Sequence, residues 1–457
     1  MNKKLPLSLC LGAALSVSSL PSSAETLLDI YQLAQTNDPL YRAEYAALQS
    51  NLQADNIGRS NLLPTLSVGV QSSWSGNLGP TAVDGVESPA GVLNEYSASL
   101  SQSLFDMGDW YSYRSGNLAV DRALVQWEQT EQDLILRSVN AYLEVLRAID
   151  NLETVRAEKT AIESQLEQAQ QRFEVGLVPI TDVLEAQATY DDIISQELDA
   201  EGSLGIAFEN LAVLTGQQHA NIAPLMDNFP VEAPQPAGAE EWYLIAAENS
   251  QILELSQFAL ESAEIGKSSA LTPYYPTLTA RATYSGSLDG EDPAGVMAGD
   301  YDEGGAISVT LDVPLITFTG GSTWARRVQA HHNLVEAEER LASAERSLEQ
   351  SIRSSHVRLM TSISQVRARL QSIRSSEGAL EATTAGYEVG TRNLVDVLLA
   401  ERNLYRARRS YLNTRYDYIE TLLNLKAAAG VLQISDLQAI NRWLDAEAQL
   451  DRSQYLP

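Results

Sequence analysis

The chain has 457 residues, 44% of them hydrophobic and 20% charged, and its 60 Asp and Glu against 31 Lys and Arg give a formal net charge of −29. Such acidity excludes nucleic acid as a natural partner, because phosphates demand a basic face. The single cysteine, Cys10, follows Leu9 rather than the small residue a lipid-attachment site wants, so no disulfide framework or lipid anchor is expected.

Residues 1–24 read as an export signal: Lys3 and Lys4, an apolar run from Leu5 to Leu20, and Ser22-Ser23-Ala24 before Glu25. The run is shorter than the ~20 residues of a spanning helix, which favours cleavage over an anchor. From Thr65 to Ser75 the residues alternate, with Leu66, Val68, Val70 and Trp74 on one face and Ser67, Gly69, Gln71 and Ser73 on the other. Tyr96, Ala98, Leu100 and Leu104 alternate in the same way with Ser97, Ser99, Ser101 and Ser103. The Gly-, Pro- and acid-rich residues 76–93 between them read as an exposed turn.

From Asn117 to Val175 the chain runs for 59 residues without Gly or Pro. At ~1.5 Å per residue that predicts a rod on the order of 90 Å long. Leu152, Val155, Lys159, Ile162, Leu166, Ala169 and Phe173 step by three and four, so a partner helix must lie alongside. The chain supplies it after the bend, where Val183, Tyr190, Leu204 and Leu211 fall at multiples of seven. The bend itself uses Gly176 to close the first helix, Pro179 in the first turn of the next, and Asp182 to complement that helix's dipole.

Ala223 to Gly238, with four prolines, reads as a linker. Beyond it the pattern starts again. Leu278, Ala280, Ala282 and Tyr284 alternate with Thr279, Arg281 and Thr283, and Ile307, Val309, Leu311 and Val313 with Ser308, Thr310 and Asp312. Residues 286–305 read as the joining turn. Ser322 to Glu377 is a second long run without Gly or Pro, and EVGTRNLVDVL at 388–398 repeats EVGLVPITDVL at 174–184 after 214 positions. The same offset pairs Asn210, Leu211 and Gly216 with Asn424, Leu425 and Gly430, and an offset of 212 pairs Pro64-Thr65-Leu66 with Pro276-Thr277-Leu278. A fixed offset of this kind marks duplicated architecture. The expected organisation is a first repeat at 25–216, a linker at 217–239 belonging to an equatorial region, a second repeat at 240–430 and a C-terminal equatorial segment at 431–457.

Four strands hung between rods have no second protein layer to cover their apolar face, whereas lipid can cover it. A membrane barrel needs about eight strands, and at eight its interior is filled by side chains. Four per chain therefore imply an oligomer, and an open pore implies three or more copies. His219, His331, His332 and His356 lack metal-ligand spacing, and no phosphate-binding glycine loop or catalytic constellation stands out, so neither enzyme activity nor a cofactor is assigned.

ETLLDIYQLAQTNDP at 25–39, SQSLFDMGDW at 101–110, QRFEVGLVPITDV at 171–183 and AGYEVGTRNLVDVL at 385–398 make the chain resemble the TolC family of outer-membrane efflux proteins, also called outer membrane factors. The resemblance covers essentially the whole chain after residue 24. It implies an α+β membrane protein in which a homotrimer forms one outer-membrane β-barrel, four strands per chain and twelve in all, continued through the periplasm by a long α-helical tunnel of coiled coils. It also implies a passive exit duct for tripartite efflux pumps and type I secretion, working with a periplasmic adaptor and an inner-membrane pump of RND, ABC or MFS type.

Carried over residue by residue, the resemblance makes Thr181, Asp182, Tyr387 and Arg392 a latch that holds the periplasmic entrance closed. Asp396 becomes an acidic ring at the constriction. Val175, Gly176, Leu177, Val389, Gly390 and Thr391 become the tip surface that meets the adaptor. Two departures are visible: Leu399 stands where the family has a second aspartate, for which Glu185 is the candidate substitute, and the chain ends at Pro457 where longer members carry a polar extension. The rival readings are a trimeric coiled-coil surface adhesin or spacer, and a simple diffusion porin, which would need no rods.

Overall fold

The computed structural model describes residues 24–75, 91–287, 303–316, 319–448 and 450–455. The expected export signal, apart from Ala24, and most of both strand-joining turns lie outside them. Three short helices, α1 (Leu27–Asn37), α2 (Pro39–Asn51) and α3 (Ala54–Ser60), lead into a hairpin of β1 (Thr65–Ser75) and β2 (Gly91–Phe105). Two long helices follow, α4 (Met107–Glu174) and α5 (Ile180–Thr215), then the two-residue strand β3 (Asn221–Ile222). The plan then recurs as α6 (Ala239–Asn249), α7 (Gln251–Ser269), β4 (Thr277–Ser287), β5 (Gly304–Asp312), α8 (Ser322–Glu388) and α9 (Leu394–Ala428). The tail adds α10 (Ile434–Asn441), β6 (Leu450–Asp451) and α11 (Arg452–Tyr455).

The alternating segments form one antiparallel sheet in the order β1-β2-β4-β5. Facing residues share a side of a sheet, so the register turns each strand's alternation into two continuous surfaces. Leu66, Leu100, Ala282 and Ile307 form one row across all four strands, while Ser67, Ser99, Thr283 and Ala306 form the next row on the other side. The polar side is laced by hydroxyls, with Ser67 Oγ 2.8 Å from Ser99 Oγ. The apolar side is bare within one chain, where Leu66 is 70% and Ile307 87% exposed. Among the described residues β1 and β5 each pair on one side only, leaving two open edges. The alternation read through Leu104 is interrupted there: the register slips between Ser103 and Phe105, so Leu104 is the extra residue of a bulge and Phe105 stands opposite Leu278.

Both rods exceed the Gly-free runs, at 68 residues for α4 and 67 for α8, each about 100 Å at ~1.5 Å per residue. Asp106 starts α4 by accepting a 2.6 Å hydrogen bond from the Gly108 amide. The helix then passes through Gly116 because that glycine serves packing rather than termination. A Cβ there would sit 2.5 Å from the Ala54 carbonyl oxygen, so α3 can approach only a bare backbone. α8 likewise runs through Gly378 and Gly386 to Glu388.

The main core lies midway along the rods. There Leu143 and Ile149 of α4, Phe208 of α5, Ile352 and Leu359 of α8, and Ile419 of α9 are wrapped by Leu27 and Ile30 of α1 and Leu437 of α10. The proline-rich stretch is part of this belt rather than a loose tether: Ile222 and Ala223 are fully buried, and the Tyr142 hydroxyl donates to the Ala223 carbonyl at 2.6 Å. β3 pairs with β6, and Glu25 bridges to Ile222, so three distant stretches of chain meet there.

A candidate gate at the hairpin tips

Each long hairpin turns on one glycine in the left-handed region, Gly176 at φ 74° and Gly390 at φ 79°. The hydrogen bonds repeat as well. The Leu177 amide donates to the Arg172 carbonyl at 2.8 Å, and the Thr391 amide to the Gly386 carbonyl at 2.8 Å, closing the orphan carbonyls of α4 and α8.

The returning helices start differently. Pro179 is the N-cap of α5, one place before the first turn expected for it, and provides no side-chain cap. At α9, Asn393 Oδ1 accepts from the Asp396 amide at 2.8 Å, while the Asp396 carboxylate accepts from the Asn393 amide at 3.5 Å. Asp182 and Asp396 both lie in first turns, as their spacing from the bends predicts.

Arg392, 62% exposed, lies 3.8 Å from Asp396, its own i,i+4 neighbour. Within one chain this ion pair, and not one with Asp182 or Thr181, is what Arg392 makes; the Thr181 hydroxyl turns to Asp182 at 3.5 Å. Tyr387 is held in place, with the Arg172 guanidinium 4.9 Å from its ring centroid and its ring packed on a cluster of Leu166, Ala169, Ala186, Leu394 and Leu398. That cluster, with Tyr387, draws residues from all four long helices and keeps the two tips level. Beyond it Val175, Leu177 and Val389 are 70–75% exposed, an apolar rim at the end of each rod. Glu185 is exposed, and so is Leu399, one turn beyond Asp396.

Above the tips lies a polar belt that heptad reading passes over. Lys159 and Glu197 occupy core positions of the first hairpin and pair at 2.5 Å, with Arg156 3.1 Å from the same carboxylate. Between the hairpins, Arg409 meets the buried Glu158 at 3.3 Å and Arg402 meets Asp192 at 2.7 Å. Glu401 is 6% exposed, accepts from Gln165 at 3.3 Å, and has a second oxygen without a hydrogen-bond partner among the described residues. Burial, reinforced by the nearby Glu158, pushes its carboxyl up to about 7. A signal existed: Leu394, Leu398, Glu401 and Tyr405 keep core spacing, with an acid inside it.

Among the described residues no group of three or more His, Cys, Asp or Glu is placed to hold a metal ion, and no helix is long and apolar enough to cross a membrane. The family model described as outer membrane efflux protein matches twice, over residues 30–217 and 242–431. The outer membrane protein TolC of Vibrio cholerae is 36% identical over 97% of this chain and 99% of its own length. The alkaline protease secretion protein AprF of Pseudomonas aeruginosa is 30% identical over 91% of this chain and 86% of its own. The crystal structure of the CmeC outer membrane channel of Campylobacter jejuni superposes with a TM-score of 0.73 at 17% identity, covering 97% of this chain and 98% of that one. These relatives are channel and secretion proteins rather than enzymes, and the surface-adhesin reading finds no counterpart among them. The chain belongs to the outer membrane efflux protein family, and its place is the outer membrane.

Proposed function

We propose that three copies of this chain close edge to edge into a twelve-stranded barrel and a twelve-helix tunnel. This is a passive exit duct that an inner-membrane pump of RND, ABC or MFS type and a periplasmic adaptor use to expel small molecules or proteins. The observation that carries the reading is the sheet: four strands with one apolar face bare, one hydroxyl-lined face, and both edges open. Lipid satisfies the first, a water-filled lumen the second, and further copies the third. The likeness to a TolC and to a protease secretion protein supports both efflux and secretion as uses.

Gating falls to the tips. Arg392 is long, mostly exposed and, among the described residues, its side chain is ion-paired only at 3.8 Å with Asp396, so it can exchange Asp396 for Asp182 and Thr181 of a neighbouring tip. Tyr387, fixed by its apolar cluster, lends a hydroxyl to the same latch. Asp396 with its two symmetry mates forms the acidic constriction, Glu185 is the candidate second acid, and Val175, Gly176, Leu177, Val389, Gly390 and Thr391 offer the adaptor its contact. Reconstitution in a planar bilayer tests the whole: a small cation-selective conductance is expected, and the absence of any conductance overturns the duct.

A further inference from the structure

The hydroxyl-lined side of the four-stranded sheet is interrupted, among the described residues, by three charges: Glu95 on β2, Arg281 on β4 and Asp312 on β5. Arg281 stands directly between Ser101 of β2 and Ser308 of β5, with Thr279 and Thr283 two residues to either side on its own strand. Facing residues have Cβ atoms about 5 Å apart, and same-face neighbours along a strand lie about 7 Å apart. Four hydroxyls therefore surround the foot of one guanidinium.

The two carboxylates are farther away. Asp312 faces Thr277, four residues along β4 from Arg281, and Glu95 faces Ser287, six residues along in the other direction. At ~3.3 Å per residue, these offsets are about 13 Å and 20 Å along the strands. Arg281 is exposed and enters no ion pair among the described residues. A guanidinium keeps its charge and offers five donors and no acceptor, and the serine and threonine hydroxyls beside it can donate as well. The cluster is thus suited to an anion. Its side of the sheet is also settled by energetics, because an arginine turned to lipid in mid-strand is strongly unfavourable, and the apolar side of β4 is occupied there by Ala280 and Ala282.

We propose that Arg281 and its two symmetry mates form a basic ring inside the barrel, where each guanidinium with its surrounding hydroxyls binds phosphate or carboxylate groups of anionic cargo on its way out. The ring rests on the trimeric duct described above. It gives the passage opposite signs at its two ends, acid at the narrow tips and base in the barrel, with the length of α4 and α8 between them. The tips set the preference of the whole channel for cations, while the ring acts on what has already passed them. Binding there is brief, since each site is open to water and a conducting pore must release what it holds.

The test uses the whole protein in a planar bilayer at low salt, with tripolyphosphate added on the barrel side. Block of the wild-type current is expected. It should weaken about tenfold in Arg281→Thr, which continues the alternation of Thr279 and Thr283, and strengthen about tenfold in Thr283→Arg, which adds three guanidinium groups one pleat away. Arg281→Lys keeps the charge but loses the planar fork, and should stay within about threefold of wild type. An Arg281→Thr channel blocked as well as wild type, or a conducting wild-type channel that tripolyphosphate does not block, overturns the ring and leaves the duct standing. The absence of any conductance overturns the duct and the ring with it. Should Arg281→Thr fail to assemble, as judged by the mass of the detergent-solubilised complex, unchanged block in Thr283→Arg overturns the ring instead.

Discussion

The two hairpins share a backbone and divide the chemistry. Both close a long rod with a left-handed glycine and the same pair of turn hydrogen bonds. Beyond the bend, however, the first tip presents Leu177, Val178 and Ile180 on an uncapped helix, and the second presents Thr391, Arg392 and the Asn393–Asp396 capping box. The returning helices differ more widely still, α5 having no basic residue and α9 six. Duplication fixes where a side chain stands, and divergence decides what it does, so a single chain can furnish both partners of one contact.

If this division is functional, changes at matching positions should have unequal effects. The largest is expected at Asp396. Replacement by Asn keeps an acceptor for the cap but removes three charges from the constriction, so block by a hexaammine-type trivalent cation should weaken on the order of a hundredfold. Asp182→Asn, its counterpart, should change block far less; equal losses in single-channel recordings would erase the distinction between the tips. Next comes Leu399→Asp, which adds three carboxylates one turn away and should strengthen block about tenfold. If it does not, Glu185→Gln recorded alongside shows whether Glu185 already fills that role.

A smaller change is expected from Arg392→Ser with Tyr387→Phe, where loss of charge-assisted bonds should raise single-channel conductance a few-fold. An unchanged conductance rules the latch out. The smallest concerns the belt between the hairpins. Glu401 binds its proton more tightly when folded, up to about 7, so its burial costs nothing in acid and an increasing amount as pH rises from the ordinary glutamate range toward 7. Glu401→Gln should therefore leave melting unchanged at pH 4 and raise it at pH 8, by no more than ~3 kcal/mol of stability. Equal melting of both proteins at pH 8 would show the carboxyl to be solvated.

Much of this architecture is legible in the residues because it rests on period. Alternation around Leu66 and Ile307 reveals strands, steps of three and four from Leu152 to Ala169 reveal a helical hairpin, and Gly176 and Gly390 mark its ends. Gly116 misleads, since whether a glycine ends a helix or admits a neighbour depends on a carbonyl far back in the chain, at Ala54. The pairing of Lys159 with Glu197 and the burial of Glu401 escape because a charge within a heptad looks like an interruption until its partner helix is in place. At the candidate gate, the residues that belong to the bend could be named, but not Arg392's pairing with Asp396 inside its own chain, which depends on the side chain's conformation.

The small pairing of β3 with β6 has a consequence for the order of events in the life of the chain. Leu450 and Asp451 lie against Asn221 and Ile222, the Arg452 amide donates to the Ala220 carbonyl at 2.7 Å, and Ala223 and Asn221 in turn hold Glu25. The belt is thus tied from three stretches far apart in sequence, around Glu25, Ile222 and Leu450. Its contacts span large stretches of sequence, and loop closure makes such contacts slow to form. Each helical hairpin can form from neighbouring residues alone, whereas the belt closes only when residues roughly 200 positions apart have met, so the hairpins are free to form first and the belt closes last.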